Sequence, residues 1–190
     1  MVRVTTQKNI GGFTIMEVVV VVGIFALVLT AFMNIFDWSN SNYFYQEAQV
    51  RASSSARQAM TEIQNVTLQG YRVLASHQVG GTMYTSSSTV LVLQIPSPDS
   101  NGDVLANTWD YVAIYLAGAT LTRKLEAGSG SYRISGEKLL SDNVQSVVFT
   151  YDNVDFTEVS EVDTDLTTAV TARNLVVTQR LQQSTHLRNR

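Results

Sequence analysis

The sequence predicts an α+β protein in which one long N-terminal helix precedes a mostly antiparallel β-sheet. Three observations predict it. Residues 13 to 36 form an almost uninterrupted apolar run. The next stretch, to about residue 69, is polar, lacks proline and carries apolar side chains at helical spacing. After Gly70 the chain changes to short runs rich in Val, Thr and Tyr, punctuated by Gly, Asn, Asp and Ser.

As a helix, the apolar run would extend roughly 36 Å, enough to cross a hydrocarbon core of about 30 Å once. Arg3 and Lys8 precede it with no acid before residue 13, and Asp37 is the first charge after it. This asymmetry predicts a single-pass protein of the cytoplasmic (inner) membrane, N-terminus in the cytoplasm and the bulk of the chain outside. The polar interruptions are Thr14, Glu17, Thr30 and Asn34. A helical threonine can bond back to a carbonyl one turn earlier, but a carboxylate in the middle of a membrane helix costs about 2.5 to 3.5 kcal/mol and calls for a functional explanation. Glu17 is either an assembly contact seeking a positive partner or an acid tolerated near the interface. A secretory signal would be cut after its apolar run at small residues. Here the small pair Gly11 and Gly12 stands before the run, so cleavage after Gly12 would remove a charged leader and keep the helix.

The run "GGFTIMEVVVVVGIF" resembles the type III signal of type IV pilins and type II secretion pseudopilins. In that family a glycine precedes the cut, a phenylalanine becomes the N-methylated terminus, and a glutamate stands fifth in the mature chain. The resemblance covers about 25 residues and implies prepilin peptidase cleavage between Gly12 and Phe13, N-methylation of Phe13, and a subunit-assembly role for Glu17 toward a neighbour's terminal amine. It implies a pilin-like fold, and as partners other pilins or pseudopilins, the prepilin peptidase and a membrane assembly platform. The helix-then-sheet order and the tail "THLRNR" are similar to the larger minor pseudopilins, particularly the J-type subunits. Many major type IV pilins close their C-terminal region with a disulfide, which a chain without cysteine cannot form.

The implied organisation is a cytoplasmic leader over 1–12, a transmembrane helix over 13–36, an amphipathic stem over 37–69 and a β-rich extracytoplasmic head over 70–190. In the stem, Ala56, Ala59, Met60 and Ile63 recur on one face. Phe36, Tyr43 and Val50 stand seven apart, and packing against the protein's own sheet is favoured over a coiled-coil seam. Candidate strands are "TVLVLQI" from 89, "WDYVAIYLA" from 109, "ATLTRKL" from 119, "YRISGEKLL" from 132, "VQSVVFTY" from 144 and "NLVVTQRLQ" from 174. The second places Val112, Ile114 and Leu116 on one face and Trp109, Tyr111 and Tyr115 on the other. "AGSGSY" from 127 reads as a hairpin loop.

Charged residues are 15% of the chain, well below the usual level of about 25%. The formal charge of -3 argues against a nucleic-acid binder, and loss of Arg3 and Lys8 would lower it by two more. With no cysteine, and with His77 and His186 far apart, thiolate, iron–sulfur and common zinc chemistry have no residues to use. No cofactor, metal or catalytic site is expected, and no enzyme activity. "PDSNGD" sets Asp99, Asn101 and Asp103 at alternating positions, an opening that would suit calcium, but it lacks a closing glutamate and reads better as an Asn-Gly turn. Residues 152 to 165 carry six acids and read as a solvated loop. The expected function is that of a structural subunit of a pilus or pseudopilus. The alternatives are a signal-anchored binding module that does not polymerise and a DNA-uptake minor pilin.

Overall fold

The structure is a computed structural model that describes Gly12 and residues 14 to 188. The chain divides into two compact units, Met1–Tyr43 and Phe44–Arg190. The first contributes the start of α1, a helix over Ile15–Leu68. From Ile15 to Ser39 every side chain of that helix is exposed. Apolar residues surround it on all sides, the pattern of a helix meant for an apolar surround rather than a one-sided core. It is long and apolar enough to cross a membrane, compatible with a single-pass membrane protein. Thr30 Oγ1 donates to the Ala26 carbonyl at 2.9 Å, so its hydroxyl is satisfied inside the helix as expected.

In the second unit α1 buries one stripe: Ala48, Ala52, Ala56, Ala59, Met60, Ile63 and Val66. Ala52, Ala56 and Ala59 are 0% exposed. Side chains this short let a helix backbone come close to its sheets. Accordingly Thr168 Oγ1 donates to the Ala52 carbonyl at 2.9 Å, and the hydroxyls of Ser55 and Ser141 lie 2.7 Å apart.

Among the described residues ten strands follow: β1 Arg72–Val73, β2 Ser76–Val79, β3 Thr82–Thr85, β4 Val90–Pro98, β5 Val104–Ala117, β6 Thr120–Glu126, β7 Gly136–Ser141, β8 Val144–Tyr151, β9 Glu161–Ala172 and β10 Leu175–His186. They form a five-stranded sheet ordered β1-β4-β5-β6-β7, a three-stranded sheet ordered β10-β9-β8, and the hairpin β2-β3. Every pairing is antiparallel. The architecture is α+β, a long N-terminal helix packed on antiparallel sheets. Its core joins the helix stripe to Leu91, Leu93 and Ile95, to Val112 and Ile114, and to Val147, Phe149, Val162 and Leu166.

The two faces of β5 divide as expected, with Val112 and Ile114 in the core. On the opposite face each aromatic residue has a ring partner. Trp109 meets Tyr71 at 4.5 Å between centroids, His77 stacks on Tyr111 at 3.7 Å, and Tyr84 meets Tyr115 at 4.9 Å. His77 thus has a packing role, and burial beside Tyr84 pushes the Tyr115 hydroxyl up to about 12.

Four expectations need correction. The single sheet is two sheets plus a hairpin. Strand β7 starts at Gly136 rather than 132, because the loop before it is held elsewhere by side-chain bonds. Residues 161 to 165 are not a loop. They open β9, where Val162, Thr164, Leu166 and Thr168 face inward and Glu161, Asp163 and Asp165 face out. Val50, expected on the sheet with Phe36 and Tyr43, is 67% exposed, and the alanine stripe takes that place in the second unit; Phe36 and Tyr43 belong to the first unit and are 69% and 63% exposed.

The pin that holds the β6–β7 loop is Asp110, whose side chain is 0% exposed. Its Oδ1 accepts from Ser97 Oγ at 2.6 Å and the Gly128 amide at 2.8 Å; its Oδ2 accepts from Ser131 Oγ at 3.0 Å and Arg133 Nη1 at 2.6 Å. Arg133 also donates to the Pro96 carbonyl at 2.7 Å and to Gln69 Oε1 at 2.7 Å, tying sheet and loop to the residue just past the helix. Breaking a buried pair by deleting one partner costs about 3 to 5 kcal/mol. Asp110→Ala is therefore expected to lower stability by that order in a denaturant titration, whereas Asp142→Ala, at an exposed acid, should change it by less than about 0.5 kcal/mol.

Candidate assembly site at the start of the helix

Gly12 is exposed, and a Cβ added there would meet nothing within 4 Å. Its φ is not left-handed either, so nothing among the described residues requires glycine at this position. Phe13, the expected cleavage and methylation site, lies outside the described residues. Thr14 stands just before the helix and caps it. Its carbonyl accepts from the amides of Glu17 at 3.0 Å and Val18 at 3.2 Å, and its Oγ1 accepts from the Glu17 amide at 3.3 Å.

Glu17 is the third residue of the helix and its only acid in the first turn. Thr-x-x-Glu is the capping-box spacing, in which the threonine hydroxyl serves the third amide. The amide end of a helix carries a partial positive charge that favours a carboxylate. Glu17 therefore stands in a capped first turn. The signal was present in "TIME". Around it, Ile15 is 85%, Met16 70% and Val19 61% exposed. Among the described residues Glu17 has no cation or hydrogen-bond donor for its carboxylate.

The other candidate residues belong to the second unit. The Asp99 carboxylate accepts from the amides of Asn101 at 2.8 Å and Asp103 at 2.9 Å, bonds that hold its pKa below the ordinary carboxylate value. With the Asp99 amide donating to the Asp103 carbonyl at 2.8 Å and Gly102 at φ +90°, the segment is a closed turn. His186 Nε2 lies 3.7 Å from Glu161 Oε1 on the surface. Among the described residues no group of three or more histidine and acidic side chains is arranged to hold a metal ion. The chain matches no protein-family profile and no curated protein sequence.

Loss of an N-cap costs about 1 kcal/mol. Thr14→Val should therefore speed hydrogen exchange of the Glu17 and Val18 amides about fivefold in detergent micelles while leaving amides beyond Gly23 unchanged. Thr14→Ser should keep the wild-type rate.

Proposed function

We propose that this chain is a prepilin-like structural subunit: a minor pilin or pseudopilin, trimmed after Gly12 and then assembled into a filament from the inner membrane. The observation that carries the reading is a carboxylate, Glu17, in the first turn of a helix whose stretch from Ile15 to Phe36 holds no other charge, is largely apolar and is exposed on every side. A glycine that the fold does not require precedes it at the spacing of the prepilin signal. Cleavage there would create a terminal ammonium at Phe13, four residues before Glu17. An amine and a carboxylate brought together between neighbouring helices would attract strongly, because water is excluded. Phe13 and Glu17 on one subunit would then serve the two neighbours on either side. The helix and antiparallel-sheet architecture supports a pilin-like arrangement, and the function is assembly rather than turnover.

A second reading, a tethered module that does not polymerise, needs no use for Glu17. The variants separate the two. Glu17→Val removes the cost of the carboxylate, so membrane level and trimming should be unchanged or higher, while incorporation into sheared filaments or cross-linked complexes falls at least tenfold. Glu17→Gln keeps the shape and removes the charge, and should fall in between. Wild-type incorporation of both variants would remove the assembly role. Gly12→Val should block trimming outright, since a branched side chain crowds a protease site that accepts glycine. The uncut chain should then accumulate in the membrane.

A further inference from the structure

In the second unit α1 lies on the inner face of β8, β9 and β10, so this part of the fold is a two-layer sandwich with two outward surfaces. Their charges are opposite. On the helix side a shallow groove runs over Ser54, Arg57, Gln58 and Thr61, walled by Lys138–Leu140 at one end and Gln179 at the other. Its surroundings hold three cations, Arg57, Arg123 and Lys138, against one carboxylate, Glu62. Arg123 and Lys138 both bond Glu62, the latter at 2.9 Å. Arg57 is exposed and has no partner among the described residues.

On the sheet side, register sets two outward rows, Thr150–Asp163–Ser184 and Val148–Asp165–Gln182. These line a hollow. Three carboxylates, Glu161, Asp163 and Asp165, face out here against one Arg180. Arg180 Nε donates to both oxygens of Asp165, at 2.9 and 3.1 Å, and this bonding, helped by Gln182, holds the Asp165 carboxyl down to about 2. Asp163 is exposed and has no partner among the described residues.

We infer that the helix-side groove of one copy seats the outer sheet face of a second copy of this chain, with Arg57 meeting Asp163. Both surfaces combine a free charge of opposite sign with an exposed apolar side chain, Leu139 on one and Val148 on the other. They lie on opposite sides of the sandwich, so the contact is heterologous: each copy that uses its groove still offers its sheet, and the contact repeats instead of closing a two-fold dimer. An ion pair of this kind sets register and partner choice more than affinity. The inference rests on the assembly reading and adds the surface by which successive heads recognise each other.

The chain contains no cysteine, so introduced thiols report this contact alone. Full-length protein carrying both Gln58→Cys and Thr150→Cys, oxidised mildly in its own membranes, should give a ladder of dimers, trimers and higher species. Each single variant alone should give none, and the two singles mixed should stop at dimers. Adding Arg57→Glu or Asp163→Arg should reduce the ladder about tenfold, and adding both should restore it. Absence of the ladder, homodimers from one single variant, or failure of the double exchange to restore it would overturn the contact. If the cysteine-free chain still enters filaments in the same cells, that failure leaves the assembly reading standing. A ladder from a chain that enters no filament would support the contact while defeating that reading.

Discussion

Everything in this protein depends on how one helix meets its surroundings. Between Phe44 and Leu68 it has a single buried stripe, made largely of alanine, and the sheets are set by how closely they can approach that stripe. Three alanines with no exposed area leave no room for longer side chains, and the Thr168–Ala52 bond fixes the remaining distance. Before Tyr43 the same element has no stripe at all. Its valines, leucines and phenylalanines point in every direction and are exposed. A side chain of that kind loses roughly 1.5 to 3 kcal/mol of burial free energy if left in water. Twenty or so of them form a surface that only lipid or other apolar helices can satisfy.

Glu17 takes its meaning from that constraint. A carboxylate in an apolar surround is costly, and the first turn is the place along the helix where the cost is least, because unpaired amides point toward it. The Thr14 cap accounts for one of those amides. Among the described residues no cation meets the carboxylate. Two carboxylates of the second unit are self-contained by contrast. Asp110 is fully buried but accepts four bonds, and Glu62 is shared by two cations, so neither calls for a ligand.

Much of this was legible in the sequence. The apolar run, the helical phase of Ala56, Ala59, Met60 and Ile63, and most of the strands follow from periodicity, which reports burial directly. Strand β9 was hidden because six acids in a short stretch suggested solvent, although Val162, Thr164 and Leu166 already alternated with the acids. Residues 132 to 135 carried a strand pattern, yet Ser131, Arg133 and Ser135 are taken by Asp110 and the Ala127 amide, partners that only the folded chain brings near. The seven-residue spacing of Phe36, Tyr43 and Val50 misled for a related reason: large side chains suggest a core, but close packing here required small ones. The cap at Thr14 was readable from its spacing to Glu17. The opposed charges of Arg57 and Asp163 were not, since only the sandwich shows that they face away from each other.

The claim at the centre of this account is that the chain is cut before its membrane helix and keeps that helix. Intact mass of the protein purified from the membranes of its own cells tests it most directly. The account predicts loss of residues 1–12 and a gain of one methyl group, located on the amine of Phe13 by fragmentation. A chain that still begins at Met1, or one cut after the apolar run, would contradict it.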